Sequence, residues 1–203
     1  MDRTSTARRA SIDARILAAA RALFVRHGFY GVTLDDVAAA AELSRPTVAS
    51  RYSAPEDLFV CLMQAFCEQR CAQMRARTAS CATREALAQS LAEHWLTLTR
   101  DEVAWLSLSF EFYAFARRHP RLERRLRDQR EMLWGHLGRC IAECYSAAGL
   151  RLDVAPTELA RMCYALGAGF ALDAAGFGAN MPREVARELL TTLLLRPRSP
   201  TPL

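Results

Sequence analysis

Apolar positions recur along this chain with a helical period almost from the start. Ile16, Ala20, Leu23 and Phe24 fall three and four residues apart, which predicts an amphipathic helix over about 11–27. Gly28 sits just past its end, at the C′ position where a left-handed backbone is easy for glycine. Thr33, with Asp36 three residues on, has the form of a capping box and opens a short helix from Leu34 to about Ala40. Val37, Ala38 and Ala41 would face inward from it. After a tight turn at 41–43, Ser44 caps a third helix. Pro46 is tolerated in that first turn because no intrahelical N–H bond is lost there. Ser53 and Glu56 suggest another capping box, at the head of a long fourth helix with Leu58, Phe59, Leu62, Met63 and Phe66 on it.

Five more helices are expected beyond it. Leu87, Leu91 and Trp95 mark the first. In the segment 102–117, Leu106, Leu108, Phe110 and Phe112 alternate as in a strand. Its length and its lack of turn residues favour a buried helix instead. Leu122, Leu126, Leu133, Leu137, Ile141 and Tyr145 line a long helix. Leu159, Met162, Leu166 and Phe170 follow, and Val185, Leu189 and Leu193 mark the last, between Pro182 and Pro197. The fold class is therefore all-α with about nine helices. The expected organisation is a helix-turn-helix head with an N-terminal arm over 1–53, a helical body over 54–196 and a Pro-rich, disordered tail over 197–203.

Composition changes this picture little. The net charge of +5 favours anionic partners but is too mild to identify one. The basic residues are all Arg, spread over the whole chain, so they locate no site. Seven Cys without a disulfide-framework spacing, and no apolar leader segment, suggest a reducing, cytoplasmic setting. No apolar run approaches the ~18 residues of a membrane span. Signatures of hydrolases, phosphate-binding loops and zinc peptidases are absent, so neither an enzyme nor a cofactor or resident metal is expected.

The chemistry concentrates at 33–58. Two short helices joined by a tight turn are helix-turn-helix geometry, and the second can enter a DNA major groove with its N-terminal residues at the base edges. Its exposed face carries Arg45, Thr47, Ser50 and Arg51, donors suited to phosphates and guanine edges. Val48 and Tyr52 face inward as anchors.

These residues also carry a resemblance. The run 16–24, then His27-Gly28-Phe29-Tyr30, Val32-Thr33-Leu34, Val37-Ala38, Leu43-Ser44, Pro46-Thr47-Val48, Tyr52 and Glu56-Asp57-Leu58, is similar to the TetR/AcrR family of regulators over about 12–62. The resemblance implies a phosphate-binding cap at Thr33, base contacts from Arg45 and Pro46, and phosphate contacts from Thr47 and Arg51. The expected interface is Thr33, Ser44, Arg45, Pro46, Thr47, Ser50, Arg51 and Tyr52. Ala49 and Pro55 depart from the pattern, since an aromatic and a Lys commonly contact the backbone there. Arg3, Arg8 and Arg9 of the arm could compensate.

A homodimeric, ligand-responsive repressor on a pseudo-palindromic operator of double-stranded DNA is the function expected. Leu106, Phe110 and Tyr113 share a helix face and, with Phe66, Trp95 and His136, form the expected site for a small apolar or aromatic effector. Leu159, Leu166, Phe170, Val185, Leu189 and Leu193 form the expected dimer interface. Cys67 with Cys71, and Cys140 with Cys144, are i,i+4 pairs with both thiols on one helix face, open to a buried structural role or to redox or metal chemistry. The Arg-rich stretch 117–130, interleaved with Glu123, Asp128 and Glu131, reads as a solvated helix face. Two other classes remain: an all-α carrier or enzyme with a vestigial head, and a DNA-binding protein that answers to no ligand.

Overall fold

The computed structural model describes residues 3–101, 103–152, 154–177 and 182–195, with the side chains of 3–8, 98–101, 171, 172 and 174–177 left aside. The expected tail 197–203 and the arm side chains of Arg3 and Arg8 lie outside the described residues. Among the described residues the regular structure is helical throughout: α1 (Arg3–His27), a 3-10 turn (Phe29–Gly31), α2 (Leu34–Ala40), α3 (Arg45–Ala49), α4 (Pro55–Thr78), α5 (Arg84–Asp101), α6 (Val103–Ala116), α7 (Pro120–Ala147), α8 (Pro156–Phe177) and α9 (Arg183–Leu195). None of these helices is long and apolar enough to cross a membrane.

Two compact units result, Met1–Phe66 with Leu108–Leu126, and Cys67–Ser107 with Arg127–Leu203. The division falls elsewhere than the expected 53/54 boundary, because the first unit recruits three more helices to close its core. Phe24 of α1, Phe29, Phe59 of α4 and Phe112 of α6 form one aromatic cluster. Its ring centroids lie 5.5 Å apart for Phe24–Phe59, 4.9 Å for Phe29–Phe112 and 4.5 Å for Phe59–Phe112. Short helices cannot bury such rings alone, so the start of α4 and the end of α6 belong to this core. The alternation in α6 was thus misleading. Its most buried face runs along Trp105, Ser109, Phe112 and Ala116, at helical spacing.

The second unit packs the end of α4 with α5, the rest of α7, α8 and α9. Its core includes Met74, Leu87, Leu91, Trp95, Ile141, Tyr145, Leu159 and Leu190. The buried Tyr145 hydroxyl donates to the Leu194 carbonyl at 2.7 Å, which fastens α9 to α7. A Cβ on Gly138 would stand 2.8 Å from the Thr157 backbone nitrogen, so α7 and the start of α8 approach as closely as they do only through glycine.

Candidate nucleic-acid interface

Each end of the helix-turn-helix is closed by its own local chemistry. Thr33 accepts from the Asp36 amide at 3.2 Å, and Asp36 accepts from the Thr33 amide at 2.9 Å, the reciprocal capping box. The Thr33 hydroxyl also donates to the Asp36 carboxylate at 2.6 Å, and this bond is the main reason the carboxyl is held below its ordinary range. At the far end of α2 the Leu43 amide reaches the Ala38 carbonyl at 2.9 Å and the Glu42 amide reaches Ala39 at 3.1 Å. This is a Schellman turn, and it puts Glu42 at φ 53, in the left-handed region that favours glycine. Arg15 of α1 donates to the Ala41 carbonyl at 2.6 Å, placing a cation at the negative end of α2.

α3 is built to present its start. The Ser44 hydroxyl caps it by accepting from the Thr47 amide at 3.3 Å, and the Ser44 and Thr47 hydroxyls lie 2.8 Å apart. Arg45 and Pro46 occupy its exposed first two positions. Val48 is fully buried beneath them. The Ser50 hydroxyl donates to the Thr47 carbonyl at 2.9 Å and remains exposed. The structure thus brings Ser44, Arg45, Pro46, Thr47 and Ser50 together, with the capped start of α2 carrying Thr33 on the same unit.

Two residues of the expected interface are engaged elsewhere. Tyr52 faces inward as the expected anchor, 9% exposed, and burial pushes its phenol up to about 12, so it offers no exposed donor to DNA. Arg51 donates from Nε to Asp13 of α1 at 2.7 Å, with a side chain only 21% exposed, so its first partner is α1. The fourth-helix cap also differs. Ala54 precedes Pro55, and Asp57 rather than Glu56 accepts the amides of Ser53 and Ala54, at 3.0 and 3.2 Å. Gly28 has φ 73 and ψ 173, a mirror-extended conformation rather than the left-handed helical one.

Sequence reasoning missed the acidic partners. Arg45 pairs through Nε with Asp35 of α2 at 2.9 Å, across the turn. Glu111 of α6 accepts the Phe29 amide at 3.1 Å and holds the 3-10 turn. The signal for Asp35 was present, since it lies one residue before the capping Asp36 on the exposed side of α2.

Family models match both parts of the chain. Residues 16–60 match the model of bacterial regulatory proteins of the tetR family, and residues 83–196 match the C-terminal model of BetI-type transcriptional repressors. The chain belongs to the TetR family. A TetR-family transcriptional regulator from Mesorhizobium loti superposes with a TM-score of 0.67 at 21% identity, covering 96% of each chain. A transcriptional regulator from Streptomyces coelicolor gives 0.68 at 19%, covering 91% of this chain and 99% of its own. GusR of Salmonella enterica gives 0.66 at 22%, covering 91% and 95%. No curated protein matches the sequence. As a TetR-family protein the chain is a DNA-binding transcriptional regulator and not an enzyme.

The residues expected to bind an effector in this TetR-family protein are drawn from both units. Phe66, Phe110 and Tyr113 belong to the first and are half-buried, with the Phe110 and Tyr113 rings 6.1 Å apart, edge to face. Trp95, Leu106 and His136 belong to the second, where Trp95 and Leu106 are buried. A groove of about 800 Å3 opens in the second unit between α4, α5 and α9, but Arg77, Glu93, Glu184 and Arg187 are among its lining residues and none of the six expected residues is. Three buried ring nitrogens of this unit have no hydrogen-bond partner: His94 Nε2, Trp95 Nε1 and His136 Nε2. His94 is 1% exposed, with Nδ1 3.4 Å from an Arg70 guanidinium nitrogen, and burial followed by the charges of Arg70 and Arg77 pushes it down to about 3.

The expected dimer stripe needs correction on α8. Leu159 is 2% exposed and belongs to the core of its own unit, while Phe170 and Leu193 are partly buried against that core. The outward apolar positions are Met162 and Leu166 on α8, with Val185 and Leu189 on α9. Apolar doublets give α9 two adjacent stripes, and the inward one, Ala186, Leu190 and Leu194, is the set that fills the core.

Proposed function

We propose that this protein is a homodimeric repressor that leaves a pseudo-palindromic operator when a small, mostly apolar molecule binds its second unit. The observation that carries the DNA reading is the capped, outward-facing start of α3, with Ser44, Arg45 and Thr47 on a buried Val48 anchor. Arg45 reads a guanine edge, while Thr33 and Thr47 position the head on phosphates. Ser50 lies at the margin of the contact, and Arg51 holds α3 to α1 through Asp13. The match to a BetI-type repressor model favours repression over activation. With DNA as the partner, the protein acts in the cytoplasm.

Dimerisation is supported by Met162, Leu166, Val185 and Leu189, between 36% and 49% exposed on two helices of one unit. Packed against their copies, these stripes make a self-complementary two-fold interface that matches operator symmetry. The effector reading rests on the unpartnered nitrogens of Trp95 and His136. A buried donor without an acceptor costs ~1–3 kcal/mol, and an acceptor on an apolar ligand removes that cost. Coupling is a population shift, in which the effector binds the DNA-incompetent state more tightly.

Mobility shift on the DNA flanking the protein's own gene tests this reading. It predicts one discrete complex of a dimer with a duplex, dispersed by an apolar effector but not by sugar phosphates. A complex that forms with a monomer, or that no member of an apolar library disperses, contradicts it.

A further inference from the structure

The arginine-rich stretch that the sequence presents as a solvated helix face divides in the structure. Arg127 and Arg130 fall in the second unit, where the Arg130 guanidinium lies over the Trp134 ring at 5.9 Å. Arg125 pairs with Asp57 of α4. Arg117, Arg118, Arg121 and Arg124 are left, all exposed and all in the first unit with the helix-turn-helix. Among the described residues none of these four guanidinium groups pairs with a carboxylate. Arg117 and Arg118 form the link from α6 to α7, and Arg121 and Arg124 follow in the first turns of α7, while Leu126 turns into the core.

Folding does not account for this placement. Arg121, Arg124 and Arg125 stand three and four residues apart, so like charges are neighbours on one helix face, which disfavours the helix. They also stand near the positive end of the α7 dipole, where a carboxylate is favoured and a guanidinium is not. Glu123 is the one acidic residue of that first turn. Four exposed cations held against both local effects are suited to an anion outside the chain.

The stretch is tied to the helix-turn-helix at both ends. Phe115 packs on Phe29 with ring centroids 5.1 Å apart and on Tyr30 at 5.5 Å, and Tyr30 stands three residues before the Thr33 cap. His119 continues the row, its ring 4.2 Å from Phe115 and its Nδ1 3.0 Å from the Phe115 carbonyl oxygen. At the other end Asp57, the partner of Arg125, accepts the amides of Ser53 and Ala54 in the turn between α3 and α4. The cations therefore lie on the rim of the head, between the segment that leads into α2 and the one that leaves α3.

We propose that Arg117, Arg118, Arg121 and Arg124 form a second DNA contact, which holds backbone phosphates beyond the half-site that α3 reads. Duplex DNA carries one negative charge per ~1.7 Å of its length, so a duplex running past the half-site offers this row several phosphates, and each one neutralised releases counterions. Phosphate contacts position a protein on the duplex without reading bases, so this surface adds affinity and salt dependence and leaves sequence preference to Arg45. Where the flanking DNA lies rests on the α3 reading above.

The test uses the full chain and two duplexes that carry the sequence enriched from a random library. One is cut flush with that sequence, and the other is extended by about one helical turn, ~10 bp, on each side. The protein should bind the extended duplex more tightly. Arg117→Gln/Arg118→Gln/Arg121→Gln/Arg124→Gln should lose that gain, ~tenfold or more at low salt, with a salt slope shallower by ~2–4 units, about one for each arginine that meets a phosphate. Ethylation of the flanking phosphates should interfere with the parent protein and not with the variant, and the preferred sequence should not change. The variant's melting temperature should hold or rise, because like charges are removed; a marked fall would mean that the arginines serve the fold and would overturn the proposal. Arg118→Gln/Arg121→Gln should flatten the slope more than Arg139→Gln/Arg151→Gln, two exposed arginines of the second unit. Equal effects would reduce the surface to bulk charge and overturn it. Affinity indifferent to the flanks would overturn it too, as would loss of binding to phosphatidylglycerol vesicles with no change on DNA, which would make the partner a membrane. Enrichment of no sequence would remove the operator reading, while the same variants on a random-sequence duplex of about 40 bp, where binding is electrostatic, would still decide the phosphate surface.

Discussion

Neutralising Asp35 should strengthen operator binding, and only through Arg45. In the free protein the Arg45 guanidinium is held by Asp35 at 2.9 Å, with side chains 45% and 75% exposed. An exposed pair of this kind is worth ~0.2–1 kcal/mol after screening. Arg45 must give it up to reach a base edge, so Asp35→Asn should return about that much to binding, a gain of roughly one-and-a-half to fivefold in affinity. Arg45→Ala alone should cost ~1–3 kcal/mol and relax preference at one base pair. In the Arg45→Ala background, Asp35→Asn should add little beyond the removal of one negative charge near the duplex. Asp35 also lies in the first turn of α2, where a carboxylate favours the helix by ~0.3–1 kcal/mol, so a small drop in melting temperature is expected. Fluorescence anisotropy on a labelled operator at two salt concentrations, for all four members of the cycle, supplies the numbers. Equal effects of Asp35→Asn with and without Arg45, or weaker binding of the single variant, would refute the reasoning.

Three further outcomes follow from the same geometry. Glu42→Gly removes a side chain from a φ of 53 and should stabilise the head by ~0.5–1 kcal/mol in urea unfolding, less the exposed ion pair that Glu42 makes with Arg15; a loss would mean that the pair outweighs the backbone. His94 is kept neutral down to about 3 when folded, whereas the unfolded chain protonates it near 6.5. The unfolded state therefore binds more protons across that window, and stability is lost as pH falls through it, by up to about 1.4 kcal/mol per pH unit for this one site. His94→Gln should flatten the slope near pH 5 by about one proton, and an unchanged slope would place the titration elsewhere. Thr33→Ala should let the Asp36 carboxyl rise toward its ordinary value by NMR, because the depressed folded value adds stability above the unfolded pKa that disappears as pH falls through the folded one.

Features encoded within a few residues were legible in the sequence. The Thr33–Asp36 box, the Ser44 cap, the turn at 41–43 and the inward Val48 all follow from local spacing, and the family resemblance rests on those same positions. What escaped depends on partners far apart in the chain. Asp13 and Arg51 are 38 residues apart, and Phe29 and Glu111 are 82 apart, so no local pattern signals either contact. Periodicity also misled where apolar residues are abundant. On α8 it assigned the core residue Leu159 to an interface. On α9 it picked the outward Val185 and Leu189 but passed over the inward stripe Ala186, Leu190 and Leu194, because adjacent stripes both satisfy a helical repeat. The spacing of the cysteine pairs was visible, but the approach of Cys140 Sγ on α7 to the Cys71 carbonyl oxygen on α4, at 3.5 Å, was not.

Selection of bound duplexes from a random library, followed by binding of the enriched sequence across a salt series, tests the central claim most directly. The account predicts an enriched inverted repeat with half-site centres one helical turn or a multiple apart, ~34–36 Å per turn, and an affinity that falls steeply with salt. Arg45→Ala should lose preference at one position in each half-site. Enrichment of no sequence, or of a motif whose strength is indifferent to both salt and Arg45, would contradict it.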